Sequence, residues 1–319
     1  INTIGPTWEG NQVWFITAGG AIFAAWPFVY AAALSGFYRA LLLVLFALFF
    51  RTVGFDYRSK IADPRWRTAW DWGLFVGGAV PALVFGVAFG NLLQGVPFYL
   101  DEFMRPYYTG SFWGLLNPFA LLAGVVSLSM LIMHGAVFLQ MRTEGEIYER
   151  AQKAVLLFGI LFMAAFALAG VWQAYAIEGF SIASMPDPGG VVTPLDKKVD
   201  VISGAWMQNY ASLPWTTLAP VLAFAGAIAA IGLSGIHRPG IAIICSGASL
   251  AGVIFKAALV KFPVVIPTST VPNRSLTAWD VTASHKTLKL MFIAVVVFIP
   301  IVLAYTSWVY LVMRGKVTE

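Results

Sequence analysis

Residues 115–138 read LLNPFALLAGVVSLSMLIMHGAVF, without a single Lys, Arg, Asp or Glu. A helix needs about 20 mostly apolar residues to cross a bilayer, and this run supplies them. Working outward, seven further stretches have the same character, so eight spans are expected: Val13–Tyr30, Ser35–Phe50, Gly73–Leu93, Leu115–Phe138, Ala154–Ala176, Trp215–Leu233, Ile241–Leu259 and Thr287–Val312. The first two are separated only by small residues around Ala31–Leu34, which predicts a tight antiparallel hairpin. The composition agrees. Of 319 residues 59% are apolar and 11% charged, with mean hydropathy +0.79. Soluble domains carry about 25% charged residues. A water-facing globule, a disordered chain and a disulfide scaffold are excluded. The expected fold is all-α, a polytopic helical bundle forming one integral membrane domain over residues 1–319, with 177–214 as its longest outer loop.

The loops alternate in charge. Arg51, Arg58, Lys60, Arg65 and Arg67 fall in one loop, and Arg142, Arg150 and Lys153 in another. Arg238 lies in a short connector, and Arg314 and Lys316 in the tail. The loops Gln94–Gly114, Ile177–Pro214 and Phe262–Lys286 are less basic. The positive-inside rule makes the basic set cytoplasmic, together with both ends of the chain. The net charge of +5 then reflects membrane topology, because the basic residues do not cluster as a nucleic-acid site requires. Trp66, Trp70 and Trp72 at one end, and Tyr107, Tyr108 and Trp113 at the other, suit interfacial belts. Gly73/Gly77 and Gly86/Gly90 allow close helix contact, and Pro81 should kink its span. Met185–Pro188 and Gly189–Leu195 read as a flexible cap or partner surface.

Few groups could carry chemistry at membrane depth. Glu9 lies in Trp8-Glu9-Gly10-Asn11-Gln12-Val13-Trp14, at the basic end of the first span. It is either a favourable charge at a helix N-terminus or a proton-loading acid. A hairpin turn near Ala33 sets residue 9 roughly opposite residue 57, with Arg51, Asp56 and Arg58 as neighbours. Arg39, Lys256 and Lys261 read as snorkelling to the outer surface. His134 reads as a hydrogen-bonded core residue. His237 and His285 lie in opposite loops, so no two imidazoles match in depth for a bis-His haem. Met130 and Met133 share His134's helix and cannot oppose it across a haem. Cys245 is core filler, Asn273-Arg274-Ser275 a weak sequon, and Trp279-Asp280 an outer cap or partner contact. No phosphate loop, dinucleotide fingerprint or zinc-protease motif occurs.

Several segments together resemble one family, subunit II of the bacterial cytochrome bd-type quinol oxidases. They are the Trp8–Trp14 motif, Ala24-Ala25-Trp26-Pro27, Ser35-Gly36-Phe37-Tyr38, Gly54-Phe55-Asp56-Tyr57-Arg58-Ser59-Lys60 and the run from Phe89 to Phe98. Leu116-Asn117-Pro118-Phe119, Leu122-Ala123-Gly124-Val125, Leu139-Gln140-Met141-Arg142-Thr143, Pro267-Thr268-Ser269-Thr270, Ser275-Leu276-Thr277 and Trp279-Asp280 continue the match in order. The resemblance implies a nine-span subunit of which this chain resembles the last eight, the first helix and its acidic residue falling outside it. It implies a bacterial inner-membrane complex with subunit I, which carries the quinol site and haems b and d, and with small accessory subunits in some members. The complex would oxidise quinol, reduce dioxygen to water and draw protons from the cytoplasm. This chain would hold no haem or metal. It would stabilise subunit I, and in some members it would offer a proton route, an oxygen route and a bound quinone.

The family's acid in this motif is usually Asp, and Glu9 stands there. The resemblance implies Glu9 as proton relay, Arg51 as its electrostatic partner, and Asp56 and Lys60 as structural or access residues. Trp8 would shield the site from lipid, with Asn11, Gln12 and Trp14 supporting it. Two rivals remain from the residues alone. One is a proton-coupled secondary transporter using Glu9 and Arg39, although no pair of interrupted spans in matching halves is visible. The other is a purely structural subunit.

Overall fold

The computed structural model describes residues 1–185 and 193–317. Among the described residues ten α-helices and three small antiparallel β-pairs follow in chain order. The helices α1 (Trp8–Ala25), α2 (Pro27–Gly36), α3 (Tyr38–Tyr57) and α4 (Pro64–Gln94) lead to the hairpin of β1 (Phe98–Leu100) and β2 (Pro106–Tyr108). Then come α5 (Pro118–Arg142), α6 (Gly145–Tyr175), the pair β3 (Glu178–Ser184) and β4 (Lys198–Ser203), and the short α7 (Ala205–Ser212). The chain closes with α8 (Leu218–Gly235), α9 (Pro239–Lys261), the pair β5 (Val264–Ile266) and β6 (Leu276–Thr277), and α10 (His285–Val312).

Among the described residues seven helical segments are long and apolar enough to cross a membrane: α3, α4, α5, α6, α9, α10 and the α8 segment from Pro214 to Gly235. The helical membrane bundle expected from the sequence is thus present, and one detail differs. The expected span Val13–Tyr30 is broken at Trp26, whose φ of −136° and ψ of 70° leave the helical region. The proline ring of Pro27 crowds the residue before it and disfavours helix there. The expected turn at Ala31–Leu34 is instead helical, within α2. The link between α1 and α3 is therefore a ten-residue helix seated on the hairpins, where Gly36 faces Val96 and Tyr108.

Local signals explain the longer helices. Asp63 accepts from Arg65 N at 2.8 Å and Asn117 from Ala120 N at 2.9 Å, each followed by proline at the first helical position. The Asp63 cap starts α4 nine residues before the expected Gly73, and the helix runs on through Pro81.

The tightest packing lies among α5, α6, α8 and α9. Met133, Val137, Val155, Phe162, Ala223, Ala227 and Ala242 are fully buried between them. Glycines set the approach: a Cβ on Gly252 would lie 2.5 Å from Ala223 N, and one on Gly226 would lie 2.6 Å from Cys245 O. Gly86 and Gly90 seat α4 on α5 in the same way, and Gly77 seats it on Ala47 and Arg51 of α3.

Two ends result. The basic end carries the loops with Arg51–Arg67, Arg142–Lys153 and Arg238. The hairpin end carries the β-pairs, joined through the bridge Val96–Thr268 and a core of Val96, Phe98, Leu100, Ile266 and Leu276. The expected outer loop 177–214 contributes β3, β4 and α7 to this end. Of the stretch Met185–Leu195, residues 186–192 lie outside the described residues. A fully buried ion pair, Lys197 Nζ to Asp280 Oδ2 at 2.6 Å, staples this loop to the segment before α10. Asp280 Oδ1 also accepts from Thr277 N at 2.9 Å. Desolvation pulls the Lys197 amine below its usual range, against the pull of the Asp280 carboxylate.

Candidate functional site at the basic end of α1

Glu9 is the second residue of α1 and is exposed. A carboxylate in the first turn is favoured by the unpaired N–H groups of the helix start. Beside it the Trp8 ring packs on Phe55 of α3, with centroids 5.0 Å apart. That contact falls close to the register expected for residues 9 and 57. On α3 the Arg51 guanidinium carbon sits 6.0 Å from the Phe55 ring centre. Gly77 lets α4 pack against the Arg51 backbone: a Cβ there would stand 3.0 Å from Arg51 N and Cβ. Trp8, Phe55 and Arg51 thus form one half-buried stack with Glu9 at its rim.

The structure does not join Glu9 and Arg51 in an ion pair, and Asp56 and Lys60 are exposed. Asn11 Nδ2 donates to the Tyr310 hydroxyl at 2.8 Å, tying α1 to α10. Gln12 and Trp14 are half-buried on α1.

A further pair at this end is not evident from the sequence. Arg58 grips Asp71 with two N–H groups, Nε to Oδ1 and Nη2 to Oδ2 at 3.0 Å. Trp66 Nε1 donates to Tyr57 O at 2.9 Å beside it. The pair locks the end of α3 to the start of α4. Asp71 stands between Trp70 and Trp72, and an acid at a basic membrane edge was the available signal.

Elsewhere two expectations are corrected. Lys256 and Lys261 do not snorkel. They are 9% and 6% exposed; Lys256 donates to Gln173 Oε1, and Lys261 to Val265 O at 3.3 Å. Of the three, Arg39, in the first turn of α3, is exposed as expected. The three histidines lie apart. His134 Nδ1 lies 2.8 Å from Ser246 Oγ in the helix core, His237 Nδ1 bonds the Tyr148 hydroxyl at 2.9 Å at the basic end, and His285 opens α10 at the hairpin end. Among the described residues no three His, Cys, Asp or Glu side chains cluster as a metal site.

Comparison with known proteins follows the same residues. The family profile described as "Cytochrome bd terminal oxidase subunit II" matches residues 1–313. The chain is 51% identical to "Cytochrome bd-I ubiquinol oxidase subunit 2" of Escherichia coli (strain K12), over 100% of this chain and 84% of that one. It is 54% identical to "Probable cytochrome oxidase subunit 2" of Haemophilus influenzae, over 99% of this chain and 83% of that one. The fold resembles a chain of the bd oxidase from Geobacillus thermodenitrificans, with a TM-score of 0.67 at 10% identity, covering 98% of this chain and 85% of that chain. The chain belongs to the family of cytochrome bd terminal oxidase subunit II.

Proposed function

We propose that this chain is the non-haem-bearing subunit of a quinol:dioxygen oxidoreductase in the bacterial inner membrane. Its partner is a haem-bearing subunit I, whose haems b and d supply the redox chemistry. The observation that carries this reading is the family match across almost the entire chain, at half identity to a ubiquinol oxidase subunit. The histidine placement supports leaving the haems with the partner. The basic end is assigned to the cytoplasm by its Arg and Lys loops, with both ends of this chain there.

This chain then has two tasks. The first is to stabilise subunit I, and the apolar faces that α1 and α10 leave uncovered support it. The second is to conduct protons, because reducing dioxygen to water consumes them. Glu9 is the proton relay at the cytoplasmic side. Its carboxylate takes a proton from water and passes it inward. The Arg51 cation, held on Phe55 under Trp8, adds a positive charge at this end of the route. Asp56 and Lys60 line the water-facing approach. Glu9→Asp keeps the carboxylate and should retain most oxygen uptake.

The function is tested by tagging this chain, expressing it with its partner and purifying the complex. A reduced-minus-oxidised spectrum with a chlorin-type haem d band and quinol-driven oxygen uptake are expected. Colourless protein without a partner, moving a solute with protons on its own, would return the transporter reading.

A further inference from the structure

Lys256 is one of two buried lysines of α9 that the oxidase reading leaves without a role. It lies five residues before the end of α9, about 7.5 Å below that end at the rise of a helix. A lysine this close to the surface can reach water along its own stem. Instead its amine points inward, donates to Gln173 Oε1 and sits 5.8 Å from the centre of the Phe166 ring. Gln173 is itself fully buried, and its Nε2 has no partner among the described residues. The ion pairs of the described residues use other cations, so no carboxylate among them neutralises Lys256. A charge at this depth calls for a counter-ion or a wet cavity.

A cavity is there. A space of about 390 Å³ opens beside Lys256 between α6, α7, α8 and α9, walled chiefly by Phe166, Val171, Met207 and Phe224. Its rim residues Val171, Tyr175 and Thr217 are exposed on the outside of the bundle, so the mouth opens sideways toward lipid. Tyr210 of α7 adds a second polar group to the lining. Burial pushes its phenol up to about 12, so the hydroxyl keeps its proton and stays a donor. An apolar, laterally open slot ending on an uncompensated ammonium and a phenol donor matches one ligand chemistry.

We propose that this cavity holds an anionic amphiphile, with its acidic headgroup on Lys256 and its hydrocarbon chain along Phe166, Val171 and Phe224. The headgroup supplies the negative charge that the described residues lack at this depth. Two sources share that chemistry, a long-chain carboxylate and an anionic phospholipid.

The test uses the purified complex with its partner subunit. Bound lipids are extracted and identified by mass spectrometry from wild type, Lys256→Met, Lys256→Arg and Gly170→Phe. Gly170 lines the cavity with open space where a side chain would project, so Phe fills the slot while leaving the lysine in place. Near one anionic amphiphile per wild-type complex is expected, retained with Arg and lost with Met and with the Gly170 variant. Oleate and phosphatidylglycerol are then titrated separately into delipidated complex in nanodiscs. The true source should bind at least tenfold more weakly to Lys256→Met, and the other should show no such difference. Equal anionic lipid in all four proteins would overturn the proposal. So would a cavity occupied by a neutral lipid or quinone, or by a segment of the partner subunit.

Discussion

The four helices α5, α6, α8 and α9 and the pair α1 and α10 are used differently. The first set buries whole side chains and closes backbone on backbone at Gly226 and Gly252. In the second, α10 buries no residue and α1 only Ala25. Asn11 to Tyr310 joins that pair at one end, and at the other Ala283 N, in the segment before α10, donates to Ala25 O at 2.8 Å. Apolar surface drives no association within lipid, where small residues and hydrogen bonds do. A helix without either partner in its own chain is available to another protein. The core holds this chain together, and the flank faces outward with Phe292, Phe298, Ile301 and Trp308.

That contrast can be broken at graded points. The largest effect is expected at the hairpin end, where Asp280→Ala strands a buried lysine at a cost of about 3–5 kcal/mol. Thermal unfolding and protease digestion of the purified complex should both show early loss of the segment around β3 and β4. Next, Gly252→Leu forces α8 from α9 and should cost about 1–3 kcal/mol, read as a lower midpoint and reduced yield. Tyr310→Phe removes the acceptor of Asn11 and should cost only about 0.6 kcal/mol, the average for hydrogen bonds between membrane helices. The smallest change in this chain's own stability, under about 0.5 kcal/mol, belongs to Phe298→Ala on α10. The same variant should lower recovery of the partner subunit in pull-downs. If it instead unfolds this chain while partner recovery stays normal, the division between core and flank is wrong.

Much of the bundle was legible because an uncharged apolar run of about 20 residues matches the thickness of a bilayer and suits little else. The expected α5, α6, α8, α9 and α10 all appear, with their ends shifted by a few residues in either direction and most at the start of α6. Pro27 carried the signal for the break in the first span, since it removes Trp26 from the helix. Hydropathy averaged over a window blurs such a single residue. The hairpin end was less legible. Lys197 and Asp280 are 83 residues apart, and local pattern cannot pair them. Lys256 escapes local pattern for a related reason. Depth along a helix is visible in the sequence, but the direction of the side chain depends on Gln173 and Phe166 of another helix.

At the basic end the contact between Trp8 and Phe55 lies near the expected register, while Glu9 and Arg51 are not joined as an ion pair. The grip of Arg58 on Asp71 was not legible, because Asp71 lies at the edge of an apolar span on the following helix. It fixes the α3–α4 corner at the basic end.

The most direct test is steady-state oxygen uptake by the purified Glu9→Gln complex, with haem content measured on the same sample. A proton relay predicts a loss on the order of tenfold or more with the haem spectrum unchanged. Turnover equal to wild type in a fully haem-loaded complex would contradict the relay and leave this chain a structural subunit.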